Sequence, residues 1–251
     1  MTYSIIGILA SIILLIINRD VLWNRDAGRR TATLRNYRSF LLGVLVYYIT
    51  DALWGILDMF RLVPLQFADT TVYFAAMAAA VMLWTQYVIS YLEGDNLFER
   101  FLYHAGRIFF VLAMVVIVVN IFYPVLFWFD EAGDYFAGIA RYALLAVQIL
   151  MFLLTSAYTL YISRRAEGKV RLRHRTVGLF GIAMIVCIAL QVFYPLLPLY
   201  AMGYMLGTCL LHSFVVEDEK EEYRRELECA VARERQQKQE LAENREVLRE
   251  D

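Results

Sequence analysis

The chain has 251 residues, of which 60% are hydrophobic, and its mean hydropathy is +0.52. A soluble domain of this length is closer to half apolar, so the composition excludes an ordinary soluble globular protein. The formal net charge of −1 gives no indication of a nucleic-acid partner, and we expect none.

The hydrophobic residues form seven blocks, most of them within the roughly 17–25 residues that a helix needs to cross a bilayer. The blocks lie at about 3–18, 38–60, 67–92, 105–128, 138–162, 176–194 and 198–216. We therefore predict an all-α integral membrane protein, with a seven-transmembrane helix bundle over residues 1–216. The first block is interpreted as a retained span rather than a signal peptide, because no basic residue precedes it and Arg19 follows it.

Basic residues are concentrated in the connections on one side of the predicted bundle. The connections on the other side contain Arg61 alone, and one of them has the acidic sequence FDEAGDYF. Because cytoplasmic connections are rich in arginine and lysine, the basic side is predicted to be cytoplasmic. The N-terminus is then outside the cell and the C-terminus in the cytoplasm. The basic connections contain Arg19, Arg25, Arg29, Arg30, Arg35, Arg38, Arg100, Arg107, Arg164, Arg165, Lys169, Arg171, Arg173 and Arg175.

The composition changes abruptly at Glu217. Residues 217–251 contain no proline or glycine and consist almost entirely of helix-forming residues, which predicts a cytoplasmic signalling helix. Two interpretations stay open: a single solvated helix, or a parallel coiled coil that joins two copies in a homodimer. Nothing caps the helix after VLRED, so we expect a cytoplasmic output domain to follow. A heptad spacing passes through Tyr223, Leu227, Ala230, Glu234, Gln237, Leu241, Asn244 and Leu248.

No catalytic motif is recognisable, since the chain lacks a glycine-rich phosphate loop, an HExxH sequence and a nucleophile elbow. The three histidines, His104, His174 and His212, are too scattered to indicate a metal site. Lysine is absent from all the predicted spans, which excludes a retinal Schiff base. We expect no catalytic residue, metal or cofactor in this chain, and its connection to a signalling enzyme stays open.

The second block contains an acidic stripe in the sequence YYITDALWGILDMF. Tyr47, Asp51, Trp54 and Asp58 have the spacing i, i+4, i+7 and i+11, which places them on one face of a helix. The predicted topology puts Asp51 just outside the midplane and Asp58 near the outer rim. A carboxylate at mid-membrane costs roughly 2.5–3.5 kcal/mol on insertion scales, so Asp51 is expected to face the bundle interior and to have a partner there.

Polar and aromatic residues at similar depth on other spans predict an extracellular-facing pocket for a small molecule. Arg141, at the outer end of the fifth span, is the best candidate partner for Asp51 or Asp58. The candidate ligand-binding residues are Asp51, Trp54, Asp58, Tyr47, Arg141, Tyr142, Asn120, Gln148, Gln191 and Tyr204.

Several of these polar and aromatic residues could have a structural role instead of a role in ligand binding, and both interpretations stay open. Tyrosine and tryptophan near span ends often anchor helices at the membrane surface, which is the interpretation for Tyr123, Trp128, Tyr194 and Tyr200. Glutamine and asparagine within spans can simply join neighbouring helices. The arginines of the basic side satisfy orientation without a further role, and they attract anionic lipid headgroups.

Two stretches resemble a known class of receptors: ITDALWGIL at 49–57 and FYPLLPLYAMGYMLGTCLLHSFVVEDEKEEYRRELE at 193–228. Together with the charged helix that follows, they are similar to the N-terminal membrane sensors of multi-span bacterial signalling receptors. These include the seven-span sensors of Firmicutes histidine kinases and GGDEF diguanylate cyclases. The resemblance implies that the last span continues into a signalling helix and then into an output domain, for which we expect a diguanylate cyclase. It also implies a location in the inner (plasma) membrane of a bacterial cell.

The sequence thus predicts a transmembrane receptor module, with residues 1–216 as the sensor and residues 217–251 as the signalling helix. Its expected partners are a small-molecule ligand, the lipid bilayer and a second copy of the chain. A small transporter or permease is one alternative, and it requires a polar path through both halves of the membrane. A membrane scaffold whose C-terminal helix recruits a partner is another, and it predicts no pocket.

Overall fold

The computed structural model describes residues 2–23, 32–92, 94, 96–194 and 197–250, and the predicted basic residues Arg25, Arg29 and Arg30 lie outside these ranges. The described chain is helical apart from one two-stranded hairpin. Its elements are α1 (Thr2–Ile17), α2 (Arg19–Trp23), α3 (Ala32–Met59), α4 (Val63–Leu92), α5 (Leu97–Phe122), β1 (Phe127–Phe129), β2 (Tyr135–Ala137), α6 (Ile139–Ser163), α7 (Gly168–Phe193) and α8 (Leu199–Glu250).

Five of these helices, α3 to α7, are long and apolar enough to cross a membrane. This confirms that the fold is predominantly helical, with helices suited to a membrane, as predicted. The predicted first span coincides with α1, which has 16 residues and is shorter than the usual span. The predicted seventh span coincides with the beginning of α8. The count of seven spans and the orientation therefore remain predictions.

The outward face of α5 is apolar along most of its length. Its exposed residues recur at helical spacing, and each has more than half of its surface accessible. A soluble protein seldom exposes so continuous an apolar face, whereas a lipid-embedded helix must. The residues are Ile108, Val111, Leu112, Val115 and Val118.

The core is built from aromatic side chains that join four helices. Trp84 of α4 contacts the ring of Phe180 on α7 at 4.4 Å, and it contacts Phe40 of α3 at 5.5 Å. The indole N–H of Trp84 donates a hydrogen bond of 3.3 Å to the hydroxyl of Thr155 on α6. A buried indole needs such an acceptor, and Thr155 supplies it in the middle of the bundle. The packing therefore fixes α3, α4, α6 and α7 against one another.

The fourth predicted span ends earlier than expected, and this corrects the block at 105–128. Helix α5 ends at Phe122, and β1 then pairs antiparallel with β2, with Trp128 opposite Phe136. Pro124 cannot donate a helical hydrogen bond. The side chain of Asn120 offers its oxygen to the N–H groups of Leu126 and Phe127 instead. The chain therefore turns into a hairpin.

Arg61 ties the turn between α3 and α4 to this hairpin. Its backbone has φ of 53°, in the left-handed region, and its guanidinium donates to the carbonyl oxygen of Ala132 at 2.8 Å. It also forms an exposed salt bridge of 3.2 Å with Asp134. The hairpin, Arg61 and the first turn of α6 therefore lie at one end of the bundle, which we call the hairpin end.

Residues His212–Asp251 form a second compact unit of the chain, and α8 is helical through it to Glu250. Lys238 and Glu234 form a salt bridge of 2.7 Å one helical turn apart. Leu227, Glu234 and Gln237 of the predicted heptad seam are exposed in the single chain. The side chains of the remaining seam residues, Tyr223, Ala230, Leu241, Asn244 and Leu248, lie outside the described part. The coiled coil remains a prediction.

Candidate functional site

A cavity of about 430 Å³ lies at the hairpin end of the bundle. Side chains from α3, α4, β2, α6, α7 and the first turn of α8 form its wall, so it draws on almost every element of that end. Its volume falls within the range of small-molecule sites, and its mixture of apolar and polar groups is typical of them. It is lined by Asp51, Trp54, Thr70, Tyr73, Phe74, Met77, Tyr135, Ala137, Arg141, Tyr142, Leu145, Gln191 and Tyr200.

Asp51 is the buried acid of this wall. Its side chain is 1% exposed, and its Oδ2 has no hydrogen-bond partner among the described residues. The predicted stripe on α3 runs from core to surface: Tyr47 is fully buried, Trp54 is half-buried and Asp58 is exposed. The helix therefore presents Asp51 at the depth where the cavity ends and the packed core begins.

Arg141 lines the same cavity from the first turn of α6. No salt bridge of the described residues joins it to Asp51, although it was the predicted partner. Its guanidinium lies 5.9 Å from the ring centre of Tyr142. Asp51 and Arg141 both line the cavity and both interact electrostatically with the phenol of Tyr73, but they do not form a salt bridge with each other.

Gly138 sets the position of that first turn. Its N–H donates to the carbonyl oxygen of Leu126 at 2.8 Å, and a Cβ at this position would collide with the carbonyl of Val125. Only a residue without a side chain allows the hairpin and α6 to approach so closely. The close approach holds Arg141 at the cavity.

The hairpin supplies an aromatic side of the cavity. The ring of Tyr135 meets Trp54 edge-on at 6.2 Å and stacks on Phe127 at 6.2 Å. Phe127 in turn stacks on Phe74 of α4 at 5.7 Å. Burial raises the pKa of Tyr135, so its phenol is a neutral hydrogen-bond donor at neutral pH.

A network of tyrosines and glutamines lies behind the cavity wall. The phenol of Tyr200 donates to Oε1 of Gln148 at 2.9 Å and lies 3.3 Å from the phenol of Tyr204. The phenols of Tyr47 and Tyr73 lie 3.4 Å apart. Tyr47, Gln148 and Tyr204 were predicted to line the pocket. The structure instead places them one layer deeper, where they orient the residues that do.

Gln191 and Tyr200 connect the cavity to α8. The backbone N–H of Tyr200 donates to Oε1 of Gln191 at 2.7 Å, so a cavity side chain caps the first turn of this helix. Tyr200 was interpreted as a surface anchor, but it is buried, which corrects that interpretation. Tyr123, Trp128 and Tyr194 are exposed, as surface anchors are.

Two further predicted site residues lie away from the cavity. Asp58 is exposed and accepts a hydrogen bond of 3.2 Å from the amide of Gln66. Asn120 is buried and uses its amide to hold the start of the hairpin. Asp58 does not line the cavity as predicted, because this face of α3 is already exposed at Asp58. Asn120 does not line the cavity as predicted, because α5 ends at Phe122 and the Asn120 side chain binds the chain that follows.

Tyr135 and the apolar wall residues Phe74, Met77 and Leu145 were not predicted from the sequence. The signal for Tyr135 was present: aromatic FWF and YFA segments flank the turn sequence DEAGD, a pattern typical of a hairpin. Asp69 was also missed. It lies one turn before Tyr73 on α4, is 9% exposed, and is close enough to Asp51 to interact with it electrostatically.

Comparison with known proteins finds no matching family model and no matching curated protein. The described residues contain no group of three or more histidine, cysteine, aspartate or glutamate side chains placed to hold a metal ion. The structural features that bear on function are therefore the cavity, its unpaired charges and its connection to α8.

Proposed function

We propose that this protein is the sensory part of a transmembrane signalling receptor. A small molecule binds in the cavity at the hairpin end, and the occupied cavity alters the position of α8. The orientation inferred from the basic connections makes the hairpin end extracellular and the C-terminal segment cytoplasmic. Two copies associate through the C-terminal helix and control an output domain of the diguanylate cyclase or histidine kinase type.

The observation that carries this proposal is that Tyr200, in the first turn of α8, lines the cavity and is hydrogen-bonded to two other helices. Tyr200 lines the cavity with its ring, bonds Gln148 of α6 with its phenol and bonds Gln191 of α7 with its backbone N–H. A ligand that displaces the side chain of Gln191, or the ring of Tyr200, would change the support of the first turn of α8. Binding would then shift the population between two arrangements of the helix rather than create a new one.

The core below the cavity argues against the alternative of a transporter. A transporter requires a polar path through the second half of the membrane. Phe40, Trp84, Phe152 and Phe180 occupy that region in direct contact, with ring centres 4.4–6.4 Å apart. A scaffold would need no cavity with buried polar groups, and so it explains less of the structure.

A reporter experiment tests the proposal without knowledge of the ligand. A dimerisation-dependent reporter is fused after Asp251, and its basal output is measured for the parent, for Tyr200→Phe and for Gln191→Ala. Tyr200→Phe removes the phenolic bonds and retains the ring, so we expect a changed basal output at equal membrane level. Tyr123→Phe is the matched control, because Tyr123 is exposed at the same end and the chemical change is identical.

Equal output from the parent, Tyr200→Phe and Gln191→Ala would contradict coupling between the cavity and α8. Uptake measurements in vesicles address the transporter directly. Accumulation of a solute that depends on this chain, and that Asp51→Asn abolishes, would replace the sensor by the transporter.

A further inference from the structure

The cavity contains a buried carboxylate whose charge no described residue balances. Asp51 is almost fully buried, its Oδ2 has no hydrogen-bond partner in the described ranges, and no salt bridge there includes it. An acid without a partner in the apolar part of a bundle is costly in its charged form, and a cationic group of a ligand would offset that cost. Asp51 is therefore the natural position for the positive end of a ligand.

A second carboxylate strengthens the negative field around Asp51. Asp69 of α4 interacts with Asp51 electrostatically, and its Oδ2 also lacks a hydrogen-bond partner within the described residues. Two acids that interact with each other favour a cation over an anion or a neutral group. The preference is largest in a site from which water is mostly excluded.

The aromatic side chains around Asp51 suit an organic cation. Trp54, Tyr73 and Tyr135 all line the cavity, and their ring faces attract ammonium groups. A metal ion would need additional oxygen ligands that aromatic rings do not supply. The positive end of the ligand is therefore expected to be an amine or a methylated ammonium group.

Arg141 indicates that the ligand also carries a negative group. Among the described residues of the cavity wall it is the one basic side chain, and it is not ion-paired with Asp51 although both interact with Tyr73. A purely cationic ligand would be repelled by Arg141, whereas a zwitterion satisfies both charges at once. One guanidinium matches one carboxylate, and the described lining residues include no second basic side chain to hold a doubly charged phosphate.

We propose that the ligand of this cavity is a small ammonium carboxylate with an apolar body, such as an amino acid or a related zwitterion. Its ammonium group binds Asp51, and its carboxylate binds Arg141. Phe74, Met77 and Leu145 contact the apolar body. This inference rests on the proposed function only in taking the cavity to be the sensory site.

Binding measurements with charge-matched probes test the ligand class. The full chain is reconstituted in lipid nanodiscs, and calorimetry compares four probes that share a phenyl body: phenylalanine, 2-phenylethylamine, 3-phenylpropionate and 3-phenylpropanol. A second series with an isobutyl body, built on leucine, separates the charge requirement from the shape of the body. We expect the zwitterion to bind most tightly in at least one series.

The variants assign each charge to one end of the ligand. Asp51→Asn should weaken the zwitterion and the amine by roughly 30-fold or more, as expected for loss of a buried charge partner, and leave the carboxylate probe unaffected. Arg141→Gln should show the reverse pattern, and Arg141→Lys should restore part of the affinity. Asp58→Asn is the matched control, because Asp58 lies on the same stripe of α3 outside the cavity.

Tighter binding of a neutral or anionic probe, absence of zwitterion binding in both series, or unchanged affinity in Asp51→Asn would overturn the ligand class. The sensor proposal would survive any of these results if Tyr200→Phe still changes the basal output of the reporter. The converse outcome is that the zwitterion binds while Tyr200→Phe leaves the output of the reporter unchanged. That result would support the binding site and refute its coupling to α8.

Discussion

Asn120 and Phe127 exchange two hydrogen bonds: the side-chain nitrogen of Asn120 donates to the carbonyl of Phe127 at 3.1 Å, and the N–H of Phe127 donates to the side-chain oxygen of Asn120 at 3.2 Å. One amide thus replaces the helical partners that α5 loses when it ends at Phe122. The hairpin that follows brings Tyr135 and, through Gly138, Arg141 to the cavity. A residue outside the cavity therefore determines part of its wall.

Asn120→Leu should destabilise the hairpin end. The substitution removes the amide that satisfies two buried backbone N–H groups, so we expect the free energy of unfolding to fall by about 1–3 kcal/mol. Thermal unfolding of the purified protein, followed by tryptophan fluorescence, measures the change. Ile121→Ala is the control, because Ile121 is exposed on the next position of the same helix. An equal effect of the two substitutions would show that the amide has no special role.

Gly207→Ala should disturb the packing of α8 against α7. A Cβ at Gly207 would overlap the ring of Phe180. We expect a loss of about 1–3 kcal/mol in the free energy of unfolding, which is typical of an overpacked contact. Phe180→Leu in the same chain should recover part of that loss, since the smaller side chain makes room for the added methyl group.

The control for this pair is Gly106→Ala, where the nearest neighbour of an added Cβ is Thr85 at an ordinary contact distance of 3.4 Å. Chemical unfolding of the single and double variants gives the coupling energy between positions 207 and 180. Strictly additive effects of Gly207→Ala and Phe180→Leu would mean that the two residues do not constrain each other.

The orientation predicted from the basic connections can be read by cysteine labelling. Asp134→Cys and Glu167→Cys are made separately in a Cys229→Ser background, because Asp134 and Glu167 are both exposed and lie in connections of opposite charge character. A membrane-impermeant maleimide should label Asp134→Cys in intact cells and label Glu167→Cys only after permeabilisation. The opposite pattern would place the hairpin in the cytoplasm and make the cavity an intracellular site.

The apolar blocks predicted the helices well because bilayer thickness sets the length of a hydrophobic run. The fifth block, at 138–162, agrees with α6 at Ile139–Ser163. The fourth block was predicted too long, because it included the aromatic β1 segment, which hydropathy does not distinguish from a span. Periodicity also placed Asp51 and Trp54 on one face of α3. It gave no relative rotation of neighbouring helices, so the proximity of Asp69 to Asp51 and the separation of Asp51 from Arg141 required the three-dimensional structure.

The predicted homodimer can be tested at two neighbouring positions of the C-terminal unit. Leu227 lies on the heptad seam and Val231 lies off it, and both side chains are exposed in the single chain. In a parallel two-stranded coil, seam residues of the two copies meet across the interface, whereas residues beside the seam are farther apart. Leu227→Cys in a Cys229→Ser background should therefore form an intermolecular disulfide under mild oxidation in membranes, and Val231→Cys should form it much more slowly. Non-reducing electrophoresis gives the two rates. Equal rates would favour a single solvated helix, or a dimer whose contact uses a different face.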